Sequence, residues 1–124
     1  MNKRNIIRLI LISVLMACTG HNAFEKSLSV ADSLMHEHPD SAYRLLCAME
    51  QDAARMPEAL QMHRLLLLSN AQNKAYKSFT SDSIGTLLTE YYDRNGKANE
   101  RMLAYYIKGC TYRDLGDEPA ALNS

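Results

Sequence analysis

The chain has 124 residues, with 14 basic and 14 acidic side chains and therefore no formal net charge. That length fits one domain, and the charge balance lacks the basic excess that a nucleic-acid partner would favour. Tryptophan is absent and only two phenylalanines occur, while Ala, Leu and Met are frequent, which is a composition typical of helices.

The N-terminus has the parts of a secretory signal. Met1–Asn5 is short and basic, Arg8 adds a third positive charge, and a largely apolar run of nine residues follows over Leu9–Ala17. A charged region, a brief apolar region and a small residue before a cleavage point are what such a signal contains. Spanning a bilayer as a helix takes about 20 apolar residues, so the run predicts export rather than a permanent transmembrane helix.

The end of this run carries a more specific pattern. Leu15-Met16-Ala17-Cys18 resembles the lipobox of bacterial lipoproteins, with an apolar residue three positions before the cysteine and a small residue directly before it. The resemblance implies cleavage before Cys18, a diacylglyceryl thioether on its sulfur, and a membrane-anchored protein of the cell envelope that faces the periplasm or the exterior. Ordinary signal peptidase cleavage, with Cys18 as a bystander, is the alternative. We predict a lipoprotein signal over 1–18 and a helical domain over 19–124.

Cleavage before Cys18 would change the charge balance. It removes Lys3, Arg4 and Arg8, three of the 14 basic residues, so 11 basic and 14 acidic residues remain and the net charge is −3. An acidic mature chain argues further against nucleic acid as a partner.

Helical periodicity predicts the first two elements of the mature chain. Apolar residues recur at helical spacing over 23–36 and predict a helix there, which ends before Pro39 because the residue preceding a proline avoids the helical conformation. We expect Asp40 to cap the second helix. The predicted apolar face of that helix is Ala42, Leu45, Leu46, Met49 and Ala53.

Three further helices follow. Pro57 suits the first turn of a helix that runs to about Tyr76. A cluster of capping residues at 80–83 starts the fourth helix, which Asn95-Gly96 stops, and the fifth helix covers 98–115. The predicted core face of the fourth helix is Ile84, Leu87, Leu88 and Tyr91.

The end of the sequence opens a sixth helix. Asp117 can cap it and Pro119 suits its first turn. No segment of the chain alternates between apolar and polar residues with a period of two, so we expect no strand. The sequence therefore predicts an all-α fold of five to six antiparallel helices joined by tight turns.

Two cysteines remain after Cys18. The spacing of Cys47 and Cys110 matches no zinc or redox motif, although two cysteines in an oxidising compartment can pair. Cys47 lies in an apolar stretch, where a buried free cysteine is common. We expect both thiols to pack in the core.

The fifth helix carries the most specific pattern of the mature chain. Tyr105, Gly109 and Tyr112, followed by Leu115-Gly116-Asp117 and by Ala121, resemble the tetratricopeptide repeat, whose pattern is W-x₂-L-G-x₂-Y and then A-x₃-F and a proline. In this resemblance Tyr105 takes the place of the tryptophan, and Tyr112 that of the tyrosine. Gly109 and Ala121 would let two helices approach closely, which gives a packing reason for a glycine that costs about 1 kcal/mol relative to alanine within a helix.

The match is incomplete. Lys108 occupies the leucine position of the family, and the closing phenylalanine and proline would fall beyond Ser124. The resemblance thus implies antiparallel helix-turn-helix repeats in an α-solenoid whose last repeat is truncated. Such stacks usually need about three repeats and a capping helix. We therefore expect the isolated chain to self-associate through the incomplete last repeat, or to be only marginally stable.

The mature chain also resembles the N-terminal part of long tetratricopeptide lipoproteins of Gram-negative bacteria. The cues are the segments 31–35, 39–42, 81–84 and 91–92. The resemblance implies an extracytoplasmic scaffold for protein–protein interaction that has no catalytic activity. Two alternatives stay open: the sensory segment of a longer membrane-bound transcriptional regulator or kinase, and a non-functional fragment.

Candidate sites for chemistry are few. His36, His38 and Asp40 form a compact set of possible metal ligands, but the two histidines would point apart on a helix, so we expect a solvated turn and no metal. The sequence offers no nucleophile with a base and an orienting carboxylate and no glycine-rich phosphate loop, so we expect neither an enzyme nor a cofactor.

A stack of helical pairs presents one helix of each pair on its concave face. The third and fifth helices would supply that face, where an unidentified protein or peptide could bind. The candidate contact residues are Asn70, Asn73, Lys74, Arg101 and Lys108. Lys108 is the first of these, because it puts a cation where the family usually has a core leucine.

Overall fold

The computed structural model describes residues 20–116, which form six helices and no strand. The helices are α1 (20–34), α2 (Pro39–Ala48), α3 (Glu50–Ala53), α4 (Glu58–Lys74), α5 (Ser83–Asn95) and α6 (Ala98–Asp114). The predicted signal, Cys18 and the predicted sixth helix with Ala121 lie outside the described residues. Within them the all-α prediction is confirmed.

The turn between α1 and α2 is set by a proline. His38 has φ −134° and ψ 61°, which is non-helical as expected before Pro39, and Pro39 takes the first helical position of α2. The prediction that Asp40 caps this helix was wrong. Asp40 lies in the first turn instead, where a carboxylate suits the positive end of the helix dipole.

The first half of the core lies among α1, α2 and α4. The predicted face of the second helix is buried at Ala42, Leu46, Met49 and Ala53 and half-buried at Leu45, although the helix is interrupted at Met49. It packs with apolar residues of the two neighbouring helices, namely Phe24, Leu28, Ala31, Met35, Leu67 and Ala71. Residues that are buried at helical spacing along these three helices thus pack together in one apolar cluster.

The cysteine prediction is half right. Cys110 is buried and Cys47 is exposed, and both are free thiols. A helix turns through about 100° per residue, so the position next to the buried Leu46 points away from the core. Cys47 has apolar neighbours in the sequence, but its side chain does not lie on the apolar face of α2.

The second half of the core lies among α4, α5 and α6. Its buried residues are Met62, Leu66, Phe79, Leu88, Tyr92, Ala104, Ile107 and Cys110. The predicted core face of α5 was wrong at Leu87, which is 45% exposed. The buried face of α5 includes Gly85 and Thr89 in place of Leu87, because Gly85 lies directly against Lys108 of α6.

A β-carbon at Gly85 would lie 2.8 Å from the Cα of Lys108. Only a residue without a side chain allows the two backbones to come this close. The extended packing of α5 on α6 follows from this contact, and the two-residue connection at 96–97 makes the pair antiparallel.

The outer side of α6 is partly uncovered in the described structure. Met102 is 71% exposed and Tyr106 is 55% exposed, whereas Cys110 is buried and Leu103 is half-buried. The exposed side of α6 in the described structure therefore includes Tyr106 but not Cys110.

Candidate functional site

A cleft of about 520 Å³ opens at one end of the helical stack. The turn after α1, the C-terminal end of α4 with the loop behind it, and the C-terminal end of α6 meet there. Its lining residues are His36, Pro39, Asn73, Lys74, Tyr76, Lys77, Ser78, Tyr106, Arg113 and Asp114. α1, α4 and α6 end at this cleft, and Pro39 at the start of α2 also lines it.

The wall between α4 and α6 is a polar network. Arg113 Nη2 donates to Asn73 Oδ1 at 2.8 Å, and Asn73 Nδ2 donates to the Tyr106 hydroxyl at 3.4 Å. Arg113 Nε donates to Asp114 Oδ1 at 3.0 Å, and this hydrogen bond raises the pKa of Arg113. Residues 40 positions apart in sequence are thereby held in one surface.

Asp114 also fixes the loop that closes the cleft. Its Oδ2 accepts a hydrogen bond from the backbone N–H of Phe79 at 2.9 Å, and the Phe79 ring is buried in the second half of the core. One carboxylate therefore bonds the guanidinium of Arg113 on one side and the loop backbone on the other. These hydrogen bonds link the end of α6 to α4 and to the loop at Phe79.

The charge of the cleft is positive. Lys74, Lys77 and Arg113 are cations, and Asp114 is the one carboxylate among the lining residues of this cleft. Lys77 Nζ lies 5.3 Å from the centre of the Tyr43 ring, a cation–π arrangement. Cations suit the C-terminal ends of α4 and α6 because the helix dipole is negative there. The lining residues of the cleft therefore carry a net positive formal charge.

Tyr76 stands at the rim in an unusual backbone conformation. Its φ is +58°, and its side chain is 96% exposed. The Lys77 N–H bonds the Gln72 carbonyl at 3.0 Å and the Tyr76 N–H bonds the Asn73 carbonyl at 3.1 Å, which is the Schellman arrangement that ends a helix. The left-handed position of that arrangement usually holds glycine.

The structure brings together two of the five predicted contact residues, Asn73 and Lys74. Asn70 is half-buried on α4 and does not line the cleft. Arg101 donates to the Gly96 carbonyl at 3.3 Å, at the N-terminal end of α6. Lys108 packs its stem against Gly85, in the contact between α5 and α6. These three residues belong to other parts of the surface.

Sequence reasoning missed Lys77, Tyr106, Arg113 and Asp114. No motif joins them, because they meet only through the antiparallel order of the helices. One signal was available: charged residues near the ends of alternate helices share one end of such a stack. Applied to the ends of α4 and α6, that rule selects Lys74, Lys77 and Arg113.

Three of the residues that carry the tetratricopeptide resemblance, Tyr105, Gly109 and Tyr112, lie on α6. Tyr105 is on the exposed side and donates its hydroxyl to Asp93 Oδ2 at 2.6 Å, a hydrogen bond that raises the pKa of this tyrosine. Gly109 and Tyr112 are half-buried. Their predicted partner Ala121 is outside the described residues, so the close approach at Gly109 stays a prediction.

Residues 20–116 contain neither a metal-binding cluster nor a helix that could cross a membrane. In this range no three His, Cys, Asp or Glu side chains lie close enough to hold a metal ion together. None of the helices described is both long and apolar enough to cross a membrane.

Comparison of the chain with known protein families, with curated proteins and with solved structures found no significant match. The tetratricopeptide resemblance accordingly depends on the residues that suggested it, Tyr105, Gly109, Tyr112 and the turn at 115–117.

Proposed function

We propose that this chain is a lipid-anchored, extracytoplasmic scaffold that binds a protein partner through a stack of tetratricopeptide-like helical pairs and performs no catalysis. The observation that carries the proposal is the lipobox-like Leu15-Met16-Ala17-Cys18, which ends two residues before the point where α1 is described. An acylated cysteine at that position would tie the helical stack to a membrane.

The packing of the helices supports the repeat part of the proposal. α4, α5 and α6 have 17, 13 and 17 residues, and α6 packs on both of its predecessors. In solenoids of helical pairs each unit packs on its neighbour in this way, and the pairs form an extended binding surface. The contact of Gly85 with Lys108 supplies a close approach between two such helices.

The position of the cleft supports the binding part. α1 starts at Gly20, beside the proposed anchor, and its 15 residues extend over about 22 Å to the end of the stack where the cleft opens. The cleft thus lies at the end of the described α1 away from Gly20, and Gly20 follows the proposed anchor by two residues in the sequence. A partner in the surrounding aqueous compartment has access to such a site.

Metabolic labelling with a fatty acid tests the anchor. We expect the wild-type chain to take up the label and a Cys18→Ala variant to take up none. Cys47→Ala is the matched control, because Cys47 is exposed and would be modified by any unspecific acylation. Label on the Cys18→Ala variant would contradict the lipoprotein proposal.

Cross-linking in intact cells tests the scaffold. A photoreactive amino acid at position 77, on the cleft, is compared with one at position 94, which is exposed on α5. We expect a discrete cross-linked protein from position 77 and none from position 94. Equal patterns from both positions would contradict a specific binding surface at the cleft.

A further inference from the structure

Tyr76 combines two properties that packing does not explain. It holds the left-handed conformation with φ +58°, where a β-carbon is unfavourable, and it has almost no contact that would compensate, since its side chain is 96% exposed. A glycine would end α4 with the same Schellman hydrogen bonds and without that cost. Residues held in such strained conformations cluster at active sites, ligand-binding sites and switch regions.

The surroundings of Tyr76 define the chemistry of that ligand. Tyr106 presents a second exposed ring to the same cleft, and Lys74, Lys77 and Arg113 surround them. Asp114 is already engaged by Arg113 and by the Phe79 N–H, so the charge left for a ligand is positive. The chain from Cys18 onwards has 11 basic and 14 acidic residues, which makes this cleft a local reversal of its charge.

We propose that Tyr76 is a ligand-contacting residue and that the cleft binds an acidic segment of a partner protein that carries an aromatic or apolar side chain. Carboxylates of the segment bind the ammonium and guanidinium groups, and its aromatic side chain packs between Tyr76 and Tyr106. This inference rests on the proposed scaffold function and names the partner class for it. A protein segment is favoured over a lipid headgroup because the cleft lies at the end of α1 away from Gly20.

Binding is tested on the full chain with a fluorescein-labelled random copolymer of glutamate and tyrosine, followed by fluorescence anisotropy. The competitors are poly-glutamate, inorganic phosphate and vesicles with phosphatidylglycerol. We expect the copolymer to bind, and poly-glutamate, phosphate and vesicles to compete at least about tenfold more weakly, because they lack the aromatic contact.

Three variants assign the site. Tyr76→Gly is expected to weaken binding at least about fivefold while raising Tm, so that a loss of binding cannot reflect unfolding. Lys77→Gln is expected to weaken binding to a similar degree. Lys26→Gln removes an exposed cation of α1 and is the matched control, with no change expected.

Any of three results would overturn the inference: no binding of the copolymer at millimolar concentration, undiminished binding by Tyr76→Gly, or equal competition by phosphate or vesicles. If cross-linking in cells still captured a protein through position 77, the proposed scaffold function would be supported and only the proposed ligand class would be wrong. If Cys18 carried no lipid, the proposed membrane anchor would be wrong, and the binding measurement at the cleft would be unaffected.

Discussion

Arg64 Nε donates a hydrogen bond to the backbone carbonyl of Leu46 at 2.8 Å, and only 6% of Arg64 is exposed. Leu46 lies near the C-terminal end of α2, two residues before the helix ends at Ala48. Among residues 20–116, no carboxylate forms a salt bridge with Arg64. The guanidinium therefore acts on the negative end of a helix dipole, and it ties α4 to the interruption between α2 and α3.

Replacing Arg64 should destabilise the fold, and the loss should be larger when the aliphatic part of the side chain is removed as well. Arg64→Ala removes both the charged hydrogen bond and the packing of the stem, and we expect a loss of about 2–4 kcal/mol in the free energy of unfolding. Arg64→Met keeps most of the apolar stem and isolates the hydrogen bond. Urea unfolding measures both variants, and an Arg64→Met variant as stable as wild type would show that the bond only offsets the cost of burying the charge.

Gly85 should not accept a side chain. The β-carbon of Gly85→Ala would lie 2.8 Å from Lys108 Cα and 3.1 Å from its Cβ, so α5 and α6 must separate. We expect a loss of about 1–3 kcal/mol, as for overpacking of a core, despite the better helix propensity of alanine. Gly20→Ala is the control, since nothing lies within 4 Å of its β-carbon, and it should be neutral or slightly stabilising. A Gly85→Ala variant that melts above wild type would mean that the helices separate at little cost.

The same contact shows what the sequence could and could not predict. Apolar periodicity located α2 and its buried face because Leu46 and Ala42 point to one side whatever their partner is. On α5 the apolar pattern predicted that both Leu87 and Leu88 are buried. Which of the two is buried depends on the contact of Gly85 with Lys108, which lies 23 residues further along the chain. Apolar periodicity favours long apolar side chains and gives no weight to a glycine.

The cleft was harder to predict from the sequence than the helices were. Asn73 and Lys74 were predicted as contacts because they lie on the third predicted helix, whereas Arg113 was not considered. Their meeting depends on the lengths of three helices and on which ends coincide. A register shift of one turn in α6 would move its side chains by about 5 Å and remove the hydrogen bond between Arg113 and Asn73. Such a register is set by packing and is not written in any local pattern.

Asp114 should control the order of the loop at 77–82. Asp114→Ala deletes the acceptor of the partly buried Phe79 N–H, and we expect a cost of about 1 kcal/mol for the unpaired donor. The effect should be local, with faster amide exchange at Phe79 and unchanged exchange in α1 and α2. Asp93→Ala is the control, because Asp93 is an exposed carboxylate that accepts only a side-chain hydrogen bond from Tyr105. Uniformly faster exchange across all helices would indicate global destabilisation instead.

Tyr92 should make the fold sensitive to alkaline pH. Burial raises the pKa of this tyrosine far above its ordinary value of 10.0, with smaller contributions from the negative charges of Glu100 and Tyr91. The unfolded chain therefore releases the proton first as pH rises past 10.0, so the folded state binds more protons there. The stability is fully present below pH 10.0 and falls above it.

A Tyr92→Phe variant should lose this part of the pH dependence, because a phenylalanine ring fills the same site without a titratable group. Urea unfolding between pH 8 and 11 measures the slope of stability against pH, and Tyr76→Phe is the control because it deletes a hydroxyl from a side chain that is 96% exposed. We expect the slope of the control to match wild type and that of Tyr92→Phe to be smaller. Equal slopes in all three proteins would show that other groups cause the alkaline loss, and that the Tyr92 hydroxyl reaches water in the folded state.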